Sequence, residues 1–148
     1  MCGMHKIGKR ASYELLRMPS LGQNMAAFSG ADTDLGVLPH ANLLRLLHAC
    51  EQLCLIWTEA AGKAPAGYPC LPVSEDRVHT LWTELVHTNG VFAKGVIDPL
   101  MGLQDLIEIP WEDEGFCMKC VEVKVKEWTD LRRKLWSDLD VWMELNAE

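Results

Sequence analysis

Residues 117–145 read CMKCVEVKVKEWTDLRRKLWSDLDVWMEL, and the period of this stretch decides the fold. Val121, Val125, Trp128, Leu131, Leu135 and Leu139 recur at intervals of three and four, which is one face of a 3.6-residue helix. Lys124, Lys126, Glu127, Asp130, Arg132, Arg133 and Lys134 fill most of the remaining turn, as on a solvated face. Asp130 and Lys134 stand four apart in the favourable order, worth about 0.2–0.5 kcal/mol. Trp136 and Trp142 broaden the apolar stripe. Ser137-Asp138 predicts a break and then a short final helix, because both residue types prefer caps to helix interiors.

The same reading extends to the rest of the chain. Leu43, Leu46, Leu47, Cys50, Leu53, Cys54, Trp57 and Ala61 form one stripe of a long helix that starts at Pro39 or His40 and stops at Gly62. Leu44, Leu55 and Ile56 widen that stripe, which predicts a helix buried on most sides. A short helix over 11–18, with Leu15, Leu16 and Met18 inward, ends at Pro19, and Ser20 caps a further turn or two. Residues 29–39 and 63–73 read as loops, rich in glycine and proline. Ser74 caps a helix with Glu75 and Asp76 in its first turn, carrying Val78, Leu81, Trp82, Leu85 and Val86, and Asn89-Gly90 ends it. Residues 91–97 are β-branched without a partner strand and read as loop. Asp98-Pro99 starts a helix with Leu100, Leu103, Leu106 and Ile107 that ends before Pro110. The expectation is an all-α fold, an irregular bundle of five or six helices: a flexible N-terminus over 1–10 and one helical domain over 11–145.

A chain of 148 residues suits one domain, and 49% hydrophobic with 24% charged residues is a globular balance. The net charge of −7 argues against nucleic acid as a partner, because phosphate binding needs a basic surface. No apolar run approaches the ~20 residues of a membrane span. Residues 1–10 carry basic side chains with no apolar segment behind them, unlike a secretory signal. Six cysteines without such a signal point to a reducing, intracellular compartment, cytoplasmic or nuclear.

Cys117-Met118-Lys119-Cys120 has the spacing of half a zinc site, since two cysteines in a tight turn can aim at one ion at ~2.3 Å. Cys70 in its loop and Cys50 on the central helix would complete a set for one structural zinc: Cys50, Cys70, Cys117 and Cys120. Cys54, four residues from Cys50 on the same face, is an equal candidate for that ligand, and His48 is offset from it. The other reading is reduced core thiols, which are among the most buried residue types. No His-Glu-x-x-His, Gly-x-Ser-x-Gly, P-loop or Gly-x-Gly-x-x-Gly occurs. His79 and His87 are not at ligand spacing, and Glu112, Asp113 and Glu114 read as solvated loop. Six tryptophans serve mainly the core, with Trp111 and Trp142 the ones expected to face a partner.

Three groups of residues carry a resemblance: Leu43-Leu44 with His48 and Cys50; Cys70 ahead of Trp82; and Cys117 and Cys120 ahead of Arg132, Arg133, Leu135 and Trp136. Over residues 13–145 the sequence resembles the helical region that follows the BTB domain in BTB/POZ-domain proteins of mushroom-forming fungi, without the BTB domain itself. Asp140 stands where that family often has a proline. The resemblance implies a non-enzymatic module that binds a protein partner or a second copy of itself. The alternative is a small metal-dependent or thiol-redox protein using Cys117 and Cys120, with the acids at 112–114 as the nearest base.

Overall fold

The computed structural model describes residues 2–18, 39–65 and 74–144, with side-chain surroundings from residue 8 onward. These residues form six α-helices and one π-helical segment and contain no strand. The helices are α1 (Cys2–Leu16), α2 (His40–Ala61), α3 (Glu75–Trp82), α4 (Val91–Ile97), α5 (Pro99–Glu108) and α6 (Met118–Trp142). The π-helical segment, Thr83–Thr88, continues directly from α3. The all-α expectation is met, and the chain gathers into two compact units.

The first unit comprises Met1–Leu53 and Ser137–Glu148. Its buried side chains include Tyr13 and Leu16 of α1, Leu46, Ala49 and Leu53 of α2, and Leu139 and Met143 near the end of α6. Lys9 is buried and its ammonium lies 2.8 Å from the Asp140 carboxylate. The acid offsets part of the cost of taking the lysine out of water, and this pair ties α1 to the last turns of α6. Arg45 reaches Glu144 and, at 3.1 Å, Asn42. Helix α1 begins at Cys2, within the residues 1–10 expected to form a flexible terminus. Tyr13 holds the inward position on α1, and Met18 is exposed.

The second unit comprises Cys54–Trp136. Ser74 caps α3 by accepting the Arg77 N–H at 3.4 Å, and Glu75 and Asp76 occupy the first turn as expected. The wider turn that follows ends with the Asn89 N–H donating to the Glu84 carbonyl, five residues back, at 3.1 Å. It buries Val86 completely and leaves Leu85 half-buried. Gly90, at φ 81°, makes the left-handed turn that a side chain would strain, and α4 begins at once. Asp98 caps α5, its carboxylate accepting the Met101 N–H at 3.1 Å with Pro99 at the first helical position.

Three expectations are corrected here. Residues 91–97 are helical and not loop. The helix α6 runs unbroken through Ser137-Asp138 to Trp142, because Leu135, Leu139 and Met143 continue the buried stripe past that pair. Burial of those side chains outweighs the few tenths of a kcal/mol that Ser and Asp cost inside a helix. The central helix α2 is not buried on most sides, since Leu44 and Leu55 are both more than half exposed.

Candidate functional site

The second unit is organised by tryptophans. Trp82, Trp111 and Trp128 pack pairwise with ring centroids 5.5, 5.8 and 6.2 Å apart, and Phe116 meets Trp111 edge-on at 5.5 Å. Each such pair adds about 0.5–1.5 kcal/mol beyond its buried area. The indole N–H of Trp82 donates to the Ala61 carbonyl at 3.0 Å, and that of Trp111 to the Leu106 carbonyl at 2.9 Å. Each closes a helix C-terminus that would otherwise hold an orphan acceptor. Trp111 is therefore core, which corrects its expected role as a partner-facing residue; Trp142 is half-buried.

Trp57 organises a second centre. Its ring lies so close to α4 and α5 that a Cβ on Gly95 would stand 2.1 Å from Cζ2, and one on Gly102 would stand 2.7 Å from the Gly95 Cα. Only glycine fits at either position. The Trp57 N–H donates to the Phe92 carbonyl at 3.0 Å, and the two rings stack at 6.1 Å. Lys94 bridges to Asp105 at 2.7 Å across the same two helices. The α4–α5 corner is thus held from below by an indole, at its bend by the Asp98 cap, and along its side by an ion pair.

Three apolar side chains of this clamped corner are exposed. Val96, Ile97 and Met101 are 44%, 51% and 42% exposed. Cys54 of α2 abuts the corner, its sulfur 3.8 Å from the Val96 carbonyl, and the next residue, Leu55, is also exposed. Isolated surface hydrophobes are common, but three within six residues of one bend form a concentrated apolar feature. Sequence reading missed them because β-branched residues at 91–97 suggest loop or strand. The available signal was the pair of glycines, Gly95 and Gly102, flanking an Asp-Pro helix start.

The cysteines of the predicted metal set are placed as follows. Cys50 is half-buried on α2 in the first unit; Cys117 and Cys120 belong to the second; Cys70 lies outside the described residues. Cys117 precedes α6, and its sulfur accepts the Cys120 N–H at 3.3 Å, the position a capping oxygen takes. Cys120 is buried. Among the described residues no group of three or more His, Cys, Asp or Glu is arranged to hold a metal ion. His79 is exposed, while His87 packs on Phe92 at 4.7 Å. Glu112, Asp113 and Glu114 lie in the turn between α5 and α6, the first two exposed. One surface notch is lined by Glu59, Lys63, Lys124, Glu127 and Trp128, acids and lysines balanced. Another is lined by His79, Thr80, Thr83, Glu84 and Thr88. No helix among the described residues is long and apolar enough to cross a membrane. No family model, no curated protein and no solved structure matches the chain.

Proposed function

We propose that this chain is a non-enzymatic helical module that docks a protein through the α4–α5 corner, with Val96, Ile97 and Met101 as the anchoring side chains. The carrying observation is the clamp beneath them, Trp57 seated on Gly95 and Gly102. Binding energy concentrates in a few apolar anchors, and anchors already held in place lose little freedom on association. A loop carrying the same residues would lose that advantage through ordering. The proposal agrees with what the resemblance to post-BTB regions implies, namely a partner protein or a second copy as occupant.

The test compares wild type with Ile97→Asp, both checked for equal melting temperature. Self-association by light scattering, or capture of a specific protein by the immobilised chain, is expected in wild type and lost in the variant. Binding that is equal in the two proteins, or absent from both, overturns the proposal.

A further inference from the structure

We propose that Cys117 and Cys120 form a reversible dithiol–disulfide site that reacts with low-molecular-weight disulfides. Three observations carry this. The Cys117 sulfur lies across the first turn of α6, 3.3 Å from the Cys120 backbone N–H, which brings it beside the Cys120 backbone. Cys117 is half-buried and reachable from solvent, whereas Cys120 is 7% exposed, which separates an attacking thiol from a resolving one. Cys117 is the residue ahead of the helix, tied to it through the Val121 N–H on its carbonyl at 3.1 Å. Side chains three apart on a helix have Cβ atoms about 5–6 Å apart, and a disulfide needs roughly 3.5–4.5 Å. Cys117 stands one residue ahead of that helix, so closure moves its backbone toward Cys120.

The chemistry balances in two exchanges. The Cys117 thiolate attacks one sulfur of the small disulfide, forming a mixed disulfide and releasing one small thiolate. The Cys120 thiolate then attacks the Cys117 sulfur, closing the protein disulfide and releasing the second. Two protein thiols are oxidised, one small disulfide is reduced to two thiols, and the two cysteine protons pass to solvent or to the departing thiolates. The preceding residue, Phe116, packs edge-on against Trp111 at 5.5 Å, so a backbone change at Cys117 is expected to alter tryptophan fluorescence.

The experiment incubates the full chain in buffers of graded glutathione disulfide to glutathione ratio, blocks remaining thiols by alkylation, and digests with trypsin. Lys119 lies between the two cysteines, so cleavage after it leaves them on separate peptides that a disulfide keeps joined. The expected result is reversible joining of those peptides, loss of both thiols together, and a parallel change in tryptophan fluorescence. Cys120→Ser should stop at a glutathione adduct on Cys117. Cys117→Ser keeps a capping oxygen and should leave Cys120 unmodified. Unjoined peptides at every ratio, a stable adduct on Cys117 in the wild type, or a stoichiometric zinc ion protecting both thiols until a chelator removes it would each overturn the proposal. None of these outcomes bears on binding at the α4–α5 corner.

Discussion

Replacing Gly95 with alanine tests the Trp57 clamp. The added Cβ would stand 2.1 Å from Cζ2 and 2.2 Å from Cε2 of Trp57, whose side chain is 1% exposed. To reach an ordinary contact of about 3.4 Å the ring must withdraw by about 1.3 Å, and its 3.0 Å bond to the Phe92 carbonyl does not survive that shift. Overpacking a core costs about 1–3 kcal/mol. A buried donor and acceptor left without each other cost about 1–3 kcal/mol more. Alanine returns about 1 kcal/mol through its better helix propensity. The net is a destabilisation of roughly 1–5 kcal/mol, or a fall in Tm of roughly 2–20 °C for a chain of this size. Urea unfolding followed by tryptophan fluorescence reads it directly. Gly8→Ala is the control, because its Cβ would meet nothing within 4 Å inside α1. It should leave stability unchanged or raise it by up to about 1 kcal/mol. If Gly95→Ala matches wild type or rises with Gly8→Ala, the clamp does not exist as described.

Two further outcomes are expected. Asp98→Ala removes the cap on Met101 N–H and should lower stability by about 1–2 kcal/mol, with Asp98→Ser recovering most of it in the same denaturation assay. Asp140→Ala removes the carboxylate 2.8 Å from the buried Lys9 ammonium and should cost about 3 kcal/mol, the low end for a buried pair because Asp140 is 21% exposed. The double variant Lys9→Met with Asp140→Leu should be as stable as wild type or more so, as read by thermal melting.

The helices that could be read from the chain are those whose signals are local. Residues 121–139 repeat with a helical period, Ser74 and Asp98-Pro99 carry their caps in the sequence, and Asn89-Gly90 marks an end. What could not be read depends on neighbours distant in sequence. Val91, Val96 and Ile97 look unsuited to a helix until Trp57, more than thirty residues earlier, is seen to require a glycine backbone at 95. Ser137-Asp138 looks like a break until Leu139 and Met143 are found buried beyond it. Trp111, in an acidic turn, looks like a surface aromatic; its N–H in fact closes the end of α5. The cysteine pair was visible as a motif. The sulfur-capped turn at Cys117 was not, because a thiol is an unusual occupant of a position that serine or aspartate commonly takes.

Binding at the α4–α5 corner is tested most directly by three proteins measured side by side: wild type, Ile97→Asp, and Val141→Asp. Val141 is more exposed than Ile97 and lies on α6, outside the proposed anchor set. Each protein is immobilised, and its specific protein partner or self-association is quantified at matched folding. Docking at this corner predicts retention by wild type and by Val141→Asp, with at least a tenfold loss in Ile97→Asp, equivalent to about 1.4 kcal/mol. Equal loss in both variants, or none in either, would contradict it.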